Sequence, residues 1–126
     1  MGPGNSAQAQ GDPLAYFRWQ SRVLVVLAHD LQSPQLAEQR RHFEGMKLGA
    51  AERDLVLIQP TAGSPEAIAL KTALGLGNEP FQAVLVGKDG GAKLRFTRPI
   101  TGQELVATID AMPMRQNEMR QGSRSR

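Results

Sequence analysis

The chain has 126 residues, a formal net charge of +3, 40% hydrophobic residues and no cysteine. This length fits one domain with one core. The absence of cysteine excludes disulfides, thiolate nucleophiles and cysteine-ligated zinc, and it leaves the redox state of the compartment open. No apolar run approaches the roughly 20 residues that a membrane helix needs, so no membrane span is expected.

The positive charge is concentrated at the C-terminus. Residues 113–126 contain four arginines and one glutamate, and this surplus of +3 equals the net charge of the whole chain. Residues 1–112 are therefore neutral overall. Because duplex binding needs a basic face, and because few aromatic side chains are available for stacking, no nucleic-acid partner is expected. Binding of nucleic acid through the arginine-rich tail remains a subsidiary hypothesis.

Residues 1–13 are rich in glycine, glutamine and alanine and show no apolar periodicity, which predicts a disordered leader or tag remnant. Ala7-Gln8-Ala9 has the small-x-small form of a signal-peptidase site, but no basic or apolar region precedes it. Two interpretations stay open: the end of a removed signal peptide, and an ordinary linker.

The segment Leu14–Gln20 holds three of the six aromatic residues, Tyr16, Phe17 and Trp19. We predict that this segment docks on the edge of the core. The alternative is an exposed aromatic patch that binds a partner.

Two apolar runs predict buried strands, and a Ser-Pro pair follows each of them. Arg22–Ala28 is continuous and rich in β-branched residues, which is typical of a central strand covered on both faces. Glu52–Gln59 predicts a second strand. Ser33 and Ser64 each precede a proline, so each is placed to cap a helix. The first of these helices is predicted to end near Gly49.

The stretch Phe81–Phe96 predicts a hairpin, with an apolar strand, a turn at Asp89-Gly90-Gly91 and an alternating second strand. The sequence leaves open whether the bond before Pro80 is cis or trans.

The last predicted helix starts at a capping box, Thr101-Gly102-Gln103-Glu104. Ile100 and Leu105 are spaced as a hydrophobic staple around it. Pro113 is predicted to end or kink this helix, and residues 114–126 are predicted to form a flexible basic tail.

The element order β-α-β-α-β-β-α predicts an α/β fold. The simplest arrangement is a mixed central sheet of strand order 2-1-3-4 with helices on both faces. That is the thioredoxin-like plan, and we assign it to residues 14–113.

Four segments resemble the family known as domain of unknown function 4174. They are Trp19–Val26, Glu52–Leu57, Val84–Arg95 and Ile109–Arg115. The resemblance covers residues 12–120. It implies a thioredoxin- or peroxiredoxin-like fold. It also implies export, since the family occurs as small bacterial proteins, often with signal peptides, and as modules in sushi-repeat-containing and other matrix-associated proteins. It implies no activity.

The thioredoxin-like resemblance also implies where chemistry is to be sought, at the end of the first strand and the start of the next helix. That position holds His29, Asp30 and Ser33 and no cysteine, so thiol-based redox chemistry is excluded. His, Asp and Ser are the raw material of acid–base or nucleophilic catalysis, although Ser33 is explained equally well as a cap. An anion held at the helix N-terminus is a further alternative.

Two other features have simpler structural explanations. His42 lacks a second ligand at a metal-binding spacing, so it is expected on a solvated helix face. Asp89-Gly90-Gly91 lacks the spacing of a phosphate-binding loop and is explained by the hairpin turn. No metal or cofactor is therefore predicted.

The sequence favours a cysteine-free thioredoxin-like binding module with an unknown protein or extracellular partner. Periplasmic or secreted localisation is expected, with the cytoplasm as the alternative. A cysteine-independent enzyme or small-ligand binder that uses the His29-Asp30 loop is the competing hypothesis.

Overall fold

The structure, a computed structural model, describes residues 12–124. The elements follow in chain order: β1 Arg22–Ala28, α1 Pro34–Gly45, α2 Lys47–Glu52, β2 Leu55–Ile58, α3 Pro65–Leu74, β3 Phe81–Val86, β4 Ala92–Phe96, α4 Gly102–Asp110 and α5 Pro113–Arg124. Within this range, no helix has the length and apolar character needed to cross a bilayer. The predicted leader lies almost wholly outside the described residues.

The sheet confirms the predicted strand order 2-1-3-4. Strand β1 pairs in parallel with β2 and antiparallel with β3, and Val25 is the partner of both Ile58 and Val84. Strand β4 closes the other edge as the second arm of the predicted hairpin. Gly90 has a φ of +86° in its turn, a conformation that glycine adopts without strain. The layout is consistent with a thioredoxin-like fold.

Strand β1 is buried on both faces, as its sequence predicts, because two hydrophobic cores flank the sheet. Leu24 and Val26 face a core that includes residues of α1 and α4. Val23 and Val25 face the other core, to which α3 and the N-terminal segment contribute. Since side chains alternate along a strand, a central strand with a helical layer on each side must be apolar at every internal position.

The first predicted helix is interrupted. Helix α1 ends at Gly45, Met46 has a non-helical conformation (φ −117°, ψ 24°), and α2 follows from Lys47 to Glu52. Gly49 therefore lies inside a helix and does not end one. The break accompanies the packing of Met46 against the core. The second strand also starts later than predicted, at Leu55, because Asp54 turns the chain with a φ of +52°.

The helix caps differ from one another in ways that the sequence does not show. Ser64 accepts a hydrogen bond from the Ala67 amide, as predicted, whereas the side chain of Ser33 makes no capping bond to α1. The Thr101–Glu104 capping box forms in full. The staple residues on either side of it, Ile100 and Leu105, are fully buried.

The C-terminal segment departs from the predicted flexible tail. Pro113 begins a new helix, α5, and the chain is helical as far as Arg124. The physical reason is ionic, since Arg115 of this helix pairs with Asp110 at the end of α4, and Glu118 pairs with Arg22 at the beginning of β1. Separately, the peptide bond before Pro80 is trans, because the described residues contain no cis bond.

Candidate functional site

The predicted site lies at the C-terminal end of β1. There the His29 ring nitrogen Nε2 is 3.2 Å from Oδ1 of Asn78. The carboxylate of Asp30 accepts a hydrogen bond from the Gln32 amide at 2.9 Å. Ser33 stands at the start of α1 without using its hydroxyl as a cap. Each of the three residues thus has its own local environment, and the hydrogen bonds described do not link them as a catalytic triad would require.

The space beside His29 is small. A hollow of about 60 Å³ lies there, with Leu27, Ala67 and Ile68 in its wall. This volume holds a few water molecules and is well below the several hundred cubic ångströms typical of small-molecule sites. Catalysis or anion binding at this loop stays a prediction, without geometric support from the hollow.

A different constellation occupies the opposite end of the sheet, where β1 begins. Arg22 is 0% exposed and Lys88 is 8% exposed, so two cations are buried here, and their acidic partners Glu118 and Asp54 keep part of their side chains exposed. Nη1 and Nη2 of Arg22 donate to the two carboxylate oxygens of Glu118, each at 3.2 Å. Nζ of Lys88 donates to Glu118 and to Asp54, each at 2.8 Å. We call these four residues, Arg22, Asp54, Lys88 and Glu118, the Arg22 cluster.

A second ion-pair group adjoins the Arg22 cluster. Arg53 donates two hydrogen bonds of 3.0 Å to the Asp110 carboxylate, and Nε of Arg115 donates to the same carboxylate at 3.1 Å. The carbonyl of Arg53 accepts from Nη1 of Arg22 at 2.8 Å and so joins the two groups. Helices α4 and α5 are thereby held to the beginning of β2.

The contacts lower the pKa of two of these carboxylates, Glu118 and Asp110. Burial alone would raise the pKa of Glu118, but the hydrogen bonds from Lys88 and Arg22 outweigh it and hold that pKa below its ordinary value. For Asp110 the main cause is the hydrogen bond from Arg53, which lowers its pKa despite burial. Both groups are therefore stabilised in the ionised form, as partners of buried arginines must be.

Two strained positions converge on Lys88. Trp19 and Asp54 are the non-glycine residues with positive φ in the described chain, at 68° and 52°. The Trp19 amide donates to the Lys88 carbonyl at 2.7 Å, and the Asp54 carboxylate accepts from the Lys88 ammonium. Asp tolerates this conformation, whereas a bulky residue such as Trp rarely adopts it. Strain of this kind persists only where the surroundings enforce it.

An open groove of about 610 Å³ runs beside Trp19. We call it the Trp19 groove. Its apolar wall comes from the indole and from the junction of α4 and α5, with Ala111, Met112, Pro113 and Met114. Its polar wall contains Arg22, Lys88, Asp89 and Lys93. A concave surface of this volume, mostly apolar with a few charged groups, is the usual form of a ligand site.

Comparison with models of known protein families confirms the family resemblance seen in the sequence. A family model described as a domain of unknown function (DUF4174) matches residues 13–118. The chain belongs to this family. No curated protein matches it.

The family resemblance and the two ion-pair groups involve the same parts of the DUF4174 chain. Each of the four resembling segments supplies members of the two ion-pair groups, namely Arg22, Arg53 with Asp54, Lys88, and Asp110 with Arg115. Glu118 is the last residue of the matched region.

Sequence reasoning placed the candidate site at the C-terminal end of β1, whereas this groove lies where β1 begins. One signal was available, since Arg22 opens a run predicted to be covered on both faces, where a charge needs a partner. Nothing local identified Glu118 as that partner.

Proposed function

We propose that this domain is a non-catalytic binding module and that the Trp19 groove is its binding surface. The observation that carries the proposal is the state of Trp19. The residue is 63% exposed, while its backbone is held in a left-handed conformation by a hydrogen bond to the Lys88 carbonyl.

Folding alone gives no reason for tryptophan at this position. The left-handed conformation favours glycine, and the exposed indole contributes little apolar burial. A large aromatic side chain beside a groove is typical of a binding hot spot. The methionines at the α4–α5 junction add a polarizable surface that can adapt to a ligand.

Screening of a fragment library by amide NMR shifts tests this proposal. The library should contain neutral, anionic and cationic aromatic and aliphatic fragments. We expect hits whose shifts concentrate on residues 18–22, 87–93 and 108–114. Hits confined to the His29 loop, or no hits at millimolar concentration, would overturn the proposal.

A matched pair of variants sharpens the screen. Trp19→Gly removes the indole and suits the left-handed backbone, so the hits should lose affinity for a folded protein. Tyr16→Ala is the control, because Tyr16 is 79% exposed, lies on the same segment and is absent from the groove wall. If both variants bind the hits as wild type does, the groove is not the site.

We also propose that the domain is exported. The support is the family resemblance together with Ala7-Gln8-Ala9, which lies outside the described residues. Expression of the complete natural gene, followed by cell fractionation and N-terminal sequencing of the product, tests this. A product found in the cytoplasm with an unprocessed N-terminus would refute export.

A further inference from the structure

We propose that the ligand of the Trp19 groove is a small amphiphilic carboxylate, with one negative charge and a flat apolar body. This rests on the proposed function and adds the chemical class of the ligand. Three features of the groove support it: spare hydrogen-bond donors, a polar wall without a free carboxylate and an apolar wall of matching size.

The first feature is a surplus of donors. An arginine has five N–H donors and a lysine ammonium has three, so Arg22 and Lys88 together offer eight. Five hydrogen bonds use them among the described residues, to the Arg53 carbonyl, Glu118 and Asp54. Three N–H groups of two buried cations in the groove wall remain for an acceptor.

One of these donors stands out. Nε of Arg22 is the buried side-chain nitrogen or oxygen atom in the described chain that has no hydrogen-bond partner. Leaving a buried donor of a charged group unpaired is costly, and native structures rarely do so without a functional reason. Arg22 lines the groove, so an oxyanion bound there that reaches Nε would supply the missing acceptor.

The second feature is the charge of the polar wall. Its members are three cations, Arg22, Lys88 and Lys93, and one anion, Asp89. The Asp89 carboxylate is already engaged by the Gly91 amide and by Lys93, each at 2.9 Å. A cationic ligand would therefore find no free carboxylate in this wall.

The number of charges on the ligand follows from the acids behind that wall. Glu118 and Asp54 already balance the formal charges of Arg22 and Lys88. A dianion such as a phosphate monoester would be repelled by both carboxylates, whereas a carboxylate carries a single charge and accepts two or more N–H bonds. The observations favour the carboxylate.

The third feature is the apolar wall. The Trp19 indole and the Met112 and Pro113 side chains form a surface on which a ring can stack. The volume of about 610 Å³ lies in the range of sites for small molecules. A free carboxylic acid with an aromatic or branched apolar body matches both walls.

Three isosteric probes test this assignment: hydrocinnamate, its neutral amide hydrocinnamamide, and the cation phenylpropylamine. Quenching or enhancement of Trp19 fluorescence reports binding at the groove directly, because Trp19 is the one tryptophan of the chain. We expect hydrocinnamate to bind about tenfold more tightly than the amide, the value of one charge-assisted hydrogen bond, and the amine not to bind.

The variant Lys88→Met should abolish the preference for hydrocinnamate over the amide, and Lys88→Arg should retain it. Lys47→Met is the control, since Lys47 is an exposed lysine of α2 outside the groove wall. The probe series in the wild-type protein decides the proposal even if Lys88→Met does not fold.

The outcomes separate the two proposals. Equal binding of acid and amide at the groove would overturn the carboxylate assignment and leave the binding module intact. Binding of none of the three probes, in a protein whose groove binds other fragments, would also overturn the assignment. If no fragment of the library binds in the Trp19 groove, the proposed function itself is overturned.

Discussion

Arg22 and Glu118 form a two-bond ion pair across 96 positions of sequence. Arg22 is the first residue of β1 and is fully buried, whereas Glu118 lies in α5 and keeps part of its side chain exposed. The pair fastens the C-terminal helix to the beginning of the central strand. It also makes the charge of Arg22 tolerable at a position without access to water.

Replacing Glu118 by glutamine should therefore destabilise the protein by about 3 kcal/mol, because it leaves a buried arginine and a buried lysine short of one negative charge. Urea unfolding followed by circular dichroism measures the free energy of unfolding. Glu44→Gln, at an exposed position of α1, is the matched control and should change stability by less than about 0.5 kcal/mol. Equal midpoints for the two variants would contradict the structural role assigned to Glu118.

The two Ser-Pro helix starts should respond differently to the same substitution. Ser64→Ala removes a side-chain bond to the Ala67 amide and should cost about 1 kcal/mol. Ser33→Ala removes no capping bond and should cost less than about 0.5 kcal/mol. The urea midpoints of the two variants test this directly, and a loss at Ser33 as large as that at Ser64 would show that Ser33 caps α1 after all.

These serines also show how far the sequence predicts this fold and where it stops. Strand β1 and the Thr101–Glu104 capping box depend on neighbours within a few positions, so local patterns predict both. The two Ser-Pro pairs predict the same cap, but the side-chain bond forms only at Ser64. The partnership of Arg22 with Glu118 has no periodic signal, because it joins the two ends of the domain. The candidate groove was missed for that reason.

The backbone of Trp19 gives a stability prediction that is independent of any ligand. At a φ of +68°, Trp19→Gly relieves strain of about 1–2 kcal/mol but adds entropy to the unfolded chain, so the variant should be within about 1 kcal/mol of wild type. Trp19→Val places a β-branched residue in the same conformation and should be the less stable variant by about 1–2 kcal/mol. Circular dichroism must follow the unfolding, since both variants lack the fluorophore. A valine variant as stable as the glycine variant would mean that this segment does not impose the left-handed conformation.

The capping box makes the stability of the protein depend on pH in a defined window. The Arg98 guanidinium, and after it the Thr101 amide, hold the pKa of Glu104 at about 2, below its ordinary value of 4.5. A carboxylate whose pKa is lower in the folded state contributes its full stabilisation above the unfolded pKa and loses it as the pH falls toward the folded pKa. The contribution of Glu104 should thus be complete at neutral pH and decline between about pH 4.5 and pH 2.

The variant Glu104→Gln isolates this effect, because glutamine can still bond the Thr101 amide in a capping box. It should be less stable than wild type at neutral pH, and the gap should narrow steadily on acidification and close near pH 2, where the wild-type carboxylate is becoming protonated. Arg98→Met, which removes the leading cause of the shift, should show an intermediate dependence, since the bond from the Thr101 amide still favours the ionised form. Urea midpoints measured across this range provide the test. A gap that stays constant with pH would mean that Glu104 acts through cap geometry alone and that its charge adds nothing to the stability of α4.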